Sequence, residues 1–261
     1  MAWVLEASGL AISFGAVVAA DDVSVVVGAR EIVGMIGANG AGKTTFVNMV
    51  TGHLSPSRGT IRFLGRDITH QRSRAIARQG VCRSFQIPQL FGDLSVLDNL
   101  LVAIGVIRPT LRSAWRLFHR PETLDLAHRT LERYELAPYA DSKVTFLPQG
   151  MRKLLDIAMA TVRAPRLMLL DEPTSGISVD EKFAIMDTLM VALRQEGAAV
   201  MFVEHDMEVV ERYAERVIAF YEGRIIADGA PEAVLGDADV RRYVVGAELH
   251  RRPAAEVGRR C

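Results

Sequence analysis

At 261 residues with 49% apolar side chains, the chain can bury a sizeable core and reads as one globular unit with room for a subordinate lobe. Lysine plus arginine and aspartate plus glutamate are equal at 31 each, which excludes the net basic field on which a sequence-independent nucleic-acid binder relies. The two cysteines, Cys82 and Cys261, have no CxxC spacing and are too few for a disulfide framework, so a reducing cytoplasm fits.

The chain opens Met1-Ala2-Trp3-Val4-Leu5-Glu6, with no basic leader and an acid inside the first apolar stretch, which argues against a secretory signal. Short β segments are expected at Trp3 to Glu6, Ala11 to Phe14, Val23 to Val27 and Glu31 to Ile36, broken by Gly and Asp. A helix follows Gly42, with Phe46, Val47, Met49 and Val50 as its apolar faces, and Thr60 to Leu64 reads as a strand before the turn Gly65-Arg66-Asp67.

From Val96 to Thr161 the spacing is mostly helical, with expected breaks at Arg108-Pro109, Arg120-Pro121 and Ala137-Pro138. This is the candidate second lobe, inserted at roughly 90–162. Beyond it, strands at Leu167 to Leu170 and Ala198 to Glu204 alternate with helices at Asp180 to Gln195 and Met207 to Ala214. Val217 to Tyr221 and Arg224 to Asp228 form a strand pair around Glu222-Gly223.

That alternation predicts an α/β fold with a mainly parallel sheet covered on both faces. No apolar run approaches the ~18 residues of a bilayer span, so any membrane part is expected from another chain. The tail at 251–261 reads as a solvated terminus.

Gly37-Ala38-Asn39-Gly40-Ala41-Gly42-Lys43-Thr44 satisfies G-x-x-x-x-G-K-[ST] between an apolar strand and a helix, where a phosphate loop belongs. Small residues let successive N–H groups turn towards phosphate oxygens, and the helix N-terminus adds partial positive charge. Lys43 is expected on the β- and γ-phosphates, the Thr44 hydroxyl on Mg²⁺, and Thr45 beside it in the first turn. The loop alone leaves kinases, GTPases, helicases and transporters open.

Leu167-Met168-Leu169-Leu170-Asp171-Glu172 is an apolar strand ending in two acids at the ligand edge of a parallel sheet. Asp171 suits the Mg²⁺ shell. Glu172 is placed to polarise the water that attacks the γ-phosphate.

The run Asp171-Glu172-Pro173-Thr174-Ser175-Gly176 resembles the Walker B and D-loop segment of ABC ATPases, and the resemblance extends over nearly the whole chain. It implies a P-loop NTPase fold: a RecA-like core sheet, an N-terminal antiparallel β subdomain and an inserted helical subdomain, together one nucleotide-binding domain over 1–250. It implies ATP and Mg²⁺ as ligands. It gives Phe14 the place of the aromatic that stacks on adenine, although residue type alone leaves a core position open to it. It gives Gln86 the place of the Q-loop glutamine, on Mg²⁺ and water, and His205 that of the switch histidine holding the γ-phosphate. Ser178 stands at the D-loop end, where Asp is commoner.

The main departure from the family pattern is Leu147-Pro148-Gln149-Gly150-Met151, where the signature LSGGQ is expected. Pro148 replaces the serine whose hydroxyl meets the γ-phosphate across a dimer, and proline offers no N–H instead. Gln149, Gly150 and the helix start still form an anion site. Because the family motif acts in trans, the site completed by this chain's Pro148 segment is expected to turn over more slowly.

Ser13-Phe14-Gly15, Arg83-Ser84-Phe85-Gln86, Val203-Glu204-His205-Asp206-Met207 and Gly229-Ala230-Pro231-Glu232 look like the ATPase subunits of the branched-chain amino acid importer group, which includes urea and amide importers. Partners then implied are a second, commonly non-identical ATPase subunit, two transmembrane permease subunits and an extracytoplasmic binding protein, with the chain peripheral on the cytoplasmic membrane face. A lipid-type exporter ATPase, a soluble non-transport ABC ATPase and a regulatory ATP-binding subunit remain as alternatives.

Overall fold

The computed structural model describes residues 3–84, 89–107 and 120–246. Strands β1 (Trp3–Phe14), β2 (Val17–Gly28), β4 (Arg58–Phe63) and β5 (Arg66–Asp67) form an antiparallel sheet in the order β2-β1-β4-β5. The two short segments expected before residue 15 are one strand. The pairing shifts register between Ala7 and Leu10, and Gly9 at φ 59° carries the chain through the irregularity without ending the ladder. In the same way β2 starts at Val17 rather than Val23, with Asp22 accommodated inside it at φ 58°.

Strands β3 (Ile32–Ile36), β6 (Val81–Arg83), β7 (Leu167–Asp171), β8 (Ala199–Val203), β9 (Arg216–Tyr221) and β10 (Arg224–Gly229) form the second sheet, in the order β10-β9-β3-β8-β7-β6. All neighbours are parallel except the β9-β10 hairpin. Its central strands are apolar throughout because both faces are covered. Alternate residues sort accordingly. Val33, Met35, Leu167, Leu169, Ala199, Met201 and Val203 enter a core shared with the antiparallel sheet and helix α1 (Lys43–Val50). Ile32, Ile36, Met168, Leu170, Val200 and Phe202 enter a second core packed by the helices of the opposite face.

Those helices are α3 (Val96–Ile107), α4 (Pro121–Arg133), α5 (Gln149–Thr161), α6 (Val179–Glu196) and α7 (Met207–Tyr213). The first three fall between β6 and β7, where the inserted lobe is expected. Pro121 opens α4 at its first turn instead of closing a helix, since its fixed φ and missing N–H cost nothing there. Pro138 sits in a single tight turn, Ala137–Tyr139, and Arg108-Pro109 lies outside the described residues. Helix α2 (Ser73–Gln79), just before β6, has Ile76 as its one buried residue. After β10 come α8 (Pro231–Gly236), α9 (Ala238–Val240) and a π turn, Arg241–Val245, whose Tyr243 stacks on Tyr221 with ring centroids 4.6 Å apart. Among the described residues no helix is long and apolar enough to cross a membrane.

Candidate nucleotide site

Three adjacent parallel strands deliver the expected chemistry to one sheet edge. The Gly37 loop leaves β3, His205 follows β8, and Asp171 ends β7 with Glu172 next in the chain, with Met35, Val203 and Asp171 aligned across the ladder. This edge, beyond the strand C-termini, is where open α/β sheets bind ligands.

The loop's backbone explains its glycines. Gly37, Gly40 and Gly42 have φ of 152°, 83° and 107°, all in the left-handed half of conformational space. A Cβ on Gly37 would lie 2.5 Å from the Phe220 carbonyl oxygen, and one on Gly42 would lie 2.7 Å from that of Ala19. Gly42 also caps α1, whose first turn contains Lys43, Thr44 and Thr45 and no acid. The Lys43 ammonium donates to the carbonyl of Gly37 and, at 3.1 Å, to that of Ala38. Asn39 and Gly40 are exposed, while Ala41 and Gly42 are buried. An outward-facing turn of small residues, one buried-stem cation and an acid-free helix start suit an oligophosphate anion.

Across the edge, Glu172 adopts φ 47°, rare for a non-glycine residue, and its N–H donates to the Val203 carbonyl at 3.0 Å. This kink turns the chain sharply after β7. Glu172 Oε1 then lies 3.2 Å from His205 Nε2, both side chains being partly exposed. A carboxylate and an imidazole at that separation can share one proton or one water, which is the equipment of a hydrolytic base and its polar partner.

Asp171 is held from two directions. Arg83, at the end of β6, donates from Nη2 to Asp171 Oδ2 at 2.7 Å and from Nη1 to Asn48 Oδ1 on α1 at 2.6 Å. Lys153, buried on α5, donates to the Asp171 carbonyl at 3.3 Å. Burial lowers the Lys153 pKa, against the opposing pull of Asp156, Asp171, Glu204 and Glu172. Beside them the buried Glu204 accepts from the Thr174 N–H at 2.8 Å, the Thr174 hydroxyl at 2.7 Å and the His205 N–H at 3.2 Å, fixing the turn after Glu172 against the end of β8. Its burial raises its pKa. Arg83, Lys153 and Glu204 were not singled out as site residues from the sequence. A buried-strand residue that is charged, such as Glu204 after Ala199–Val203, was the available signal.

Phe14 is 51% exposed at the tip of the β1-β2 hairpin, so the core position left open for it is not the one it takes. Gln86 lies outside the described residues. Gln149 is exposed at the first turn of α5, with Pro148 as its N-cap and no side-chain cap bond, and Gly150 is buried so closely that a Cβ would meet Ile185 at 2.8 Å. Gly176, after the Glu172 turn, packs beside Gln149, and Phe146 and Val179 next to these segments are 80% and 73% exposed.

A separate groove runs along β6. One cavity of about 340 Å³ is lined by His53, Arg74, Cys82, Arg83 and Arg163, among others, and a neighbouring one of about 840 Å³ by Arg74, Arg78, Val106, Arg163 and Arg166. Among the described residues no carboxylate lines either.

Against this geometry, the sequence pattern of the family described as ABC transporter matches residues 20–175. The chain is 35% identical over 250 residues to the high-affinity branched-chain amino acid transport ATP-binding protein LivG of Salmonella typhimurium, covering 93% of this chain and 98% of that protein. It is 34% identical over 255 residues to the high-affinity branched-chain amino acid transport ATP-binding protein BraF of Pseudomonas aeruginosa, with the same coverage. Among solved structures, the ADP conformation of MJ1267, an ATP-binding cassette of an ABC transporter, superposes with a TM-score of 0.81 at 29% identity, over 93% of this chain and 98% of the other.

Proposed function

The chain belongs to the ABC transporter family as an ATP-binding ATPase subunit, and from that membership we propose that it drives an importer of branched-chain amino acids or a related small polar solute. The single observation that carries the reading is the convergence of the Gly37 to Thr44 loop, Asp171, Glu172 and His205 on one edge of three adjacent parallel strands. The substrate class rests on the 35% and 34% identity to LivG and BraF, whose names give branched-chain amino acid transport.

In this reading residues 1–250 are one nucleotide-binding domain with a short tail behind it. The loop N–H groups and Lys43 bind the ATP phosphates, and Lys43 exchanges its loop carbonyls for phosphate oxygens. Phe14, exposed on its hairpin, supports the adenine. Glu172 accepts a proton from the attacking water while His205 holds Glu172 and the γ-phosphate in line.

Mg²⁺ fits the donor set. Asp171 keeps Oδ1 free of hydrogen bonds among the described residues, and Thr44 is exposed in the first turn of α1. No three His, Cys, Asp or Glu side chains cluster as a self-sufficient metal site among the described residues, so Asp171, Thr44 and, by sequence position, Gln86 would share the ion with nucleotide oxygens. Such an ion would neutralise phosphate charge as it develops.

The segments at Phe146 to Gly150 and Gly176 to Val179 form the face by which a second ATPase subunit would close over the nucleotide, supported by the exposure of Phe146 and Val179. ATP then acts as a bridge between subunits, and its hydrolysis reopens them. The arginine-lined groove beside β6 and α3 is the surface offered to two membrane permease subunits, which would hold the chain at the cytoplasmic face of the membrane, with an extracytoplasmic binding protein beyond.

The test is the solution mass of Glu172→Gln with and without Mg-ATP, because blocking hydrolysis traps any closed pair. A nucleotide-dependent doubling supports closure through the Pro148 segment. A monomer that still binds ATP assigns closure to a non-identical partner, and a chain that binds no ATP contradicts the reading.

A further inference from the structure

Arg83 and Lys153 occupy special places in the chain. Arg83 is the last residue of β6, immediately before the chain leaves for the helical insertion, and Lys153 lies on α5, by which the chain returns. Both reach the same residue. Arg83 grips the Asp171 carboxylate and Lys153 grips its carbonyl, at 2.7 and 3.3 Å. Among the described residues the two cations are little exposed, the Arg83 side chain at 11% and Lys153 at 2%. Burying charged groups so deeply is costly without a defined partner, and both cations find one at the same strand end.

We propose that Arg83 and Lys153 are positioning residues that hold Asp171 in the orientation in which it receives a divalent metal, so that the root of the helical insertion sets how strongly metal and nucleotide bind together. The inference rests on the reading of Asp171 as the metal carboxylate.

The geometry separates Arg83 from an incidental ion pair. Its second hydrogen bond, to Asn48, anchors the guanidinium to α1, the helix whose first turn carries Lys43 and Thr44. Asn48 is four residues beyond Thr44, one helical turn along the same face. One planar fork therefore ties the phosphate-loop helix to the metal carboxylate, a geometry that a lysine ammonium cannot reproduce. With Oδ2 occupied, Oδ1 is left as the oxygen that can face a cation. Without the fork, a carboxylate that is only 14% exposed loses its fixed rotamer and its counter-charge together. Outer-shell partners of this kind change metal affinity by about 10- to 100-fold when removed.

Lys153 acts on the backbone of the same residue. Its ammonium lies under the influence of Asp156, Asp171, Glu172 and Glu204, so it also offsets the mutual repulsion of the acids that flank the metal position. A movement of α5 would shift this ammonium relative to β7. That gives the helical insertion a direct handle on Asp171 and Glu172 that does not pass through the nucleotide.

The experiment measures binding of the non-hydrolysable β,γ-imido analogue of ATP to the full chain by calorimetry, with saturating Mg²⁺ and again in EDTA. The ratio of the two affinities reads metal coupling alone. Arg83→Met and Lys153→Met should each lower that ratio tenfold or more while the EDTA affinity stays within twofold of wild type, which also shows that the variants fold. Arg83→Lys, which keeps the charge but loses the fork, should fall between Arg83→Met and wild type. If both methionine variants keep the wild-type ratio within twofold while Asp171→Asn lowers it, the positioning role is wrong and the metal assignment stands. If Asp171→Asn itself keeps the ratio, the assignment of Asp171 fails and the proposal falls with it.

Discussion

His205 Nε2 lies 3.2 Å from Glu172 Oε1, joining the residue two past the end of β8 to the residue just past the end of β7, across neighbouring strands. Removing either should cripple the same step. Glu172→Gln and His205→Ala should each lower the rate of phosphate release by about 10²- to 10⁴-fold while ATP affinity changes only a few-fold. The double variant should be no slower than the worse single one, since groups that act as a unit are strongly non-additive. Single-turnover hydrolysis checks this, and multiplying effects would separate the two roles.

The phosphate loop makes a contrast between glycines. Gly42→Ala places a Cβ 2.7 Å from a backbone oxygen at φ 107°, so it should cost about 2 kcal/mol or more and abolish ATP binding. Gly40→Ala meets no atom within 4 Å and carries only the cost of its φ of 83°, about 1–2 kcal/mol. Urea unfolding and nucleotide titration of the two variants should rank them in that order.

Pro148 stands at the N-cap of α5 with no side-chain bond to the helix, at φ −55° and ψ 155°, which a serine can adopt. Pro148→Ser should therefore stabilise the helix by about 0.5–1 kcal/mol through a new cap. It should also raise the ATPase rate of the assembled complex, by restoring a hydroxyl to the partner's site. A gain in melting temperature with an unchanged rate would confine Pro148 to a structural role.

Cys82 is buried beside the groove, and loss of hydration pushes its thiol up to about 11, with Arg163 opposing weakly. Native chain then keeps a proton that the unfolded chain, with a thiol near 9.0, has already released. Between about pH 9 and 11 the folded state binds more protons than the unfolded one, so this thiol's contribution to stability is intact below that window and is lost as pH rises through it. In a Cys261→Ser background, alkylation of native protein at pH 8 should be slow and should accelerate only on unfolding. Rapid labelling of the native chain at pH 8 would contradict the burial.

The groove lined by Arg74, Arg78, Arg163 and Arg166 should be needed for assembly and not for nucleotide binding. Arg163→Glu with Arg166→Glu should lose co-purification with membrane permease subunits, while ATP affinity remains within twofold. Wild-type association should weaken with salt, as exposed charges are screened over about 8 Å at physiological ionic strength. Retention of the complex by the double variant would move the docking surface elsewhere.

The strands of the parallel sheet were legible because an apolar run ending in a turn or an acid survives as a pattern: Ile32 to Ile36 before the glycines and Leu167 to Leu170 before Asp171 are both buried strands. The phosphate loop was legible because its backbone demands glycine at three φ values that other residues avoid. Helix α2 and strand β6 were not, since Ile76 is the one buried side chain of α2 and β6 spans three residues. Arg83 and Lys153 were invisible for a different reason. Both look like solvated cations in sequence, and only the packing of β6 and α5 against β7 brings them onto Asp171, 88 and 18 residues away.

The most direct measurement is phosphate release from Mg-ATP by the assembled complex, with this chain as wild type or as Glu172→Gln, and ATP binding measured on both. Both should bind ATP with similar affinity, and the wild type should release phosphate far faster than Glu172→Gln. Equal release by the two proteins would contradict the assignment of Glu172 as the base and, with it, the central place of the β7 edge in the chemistry.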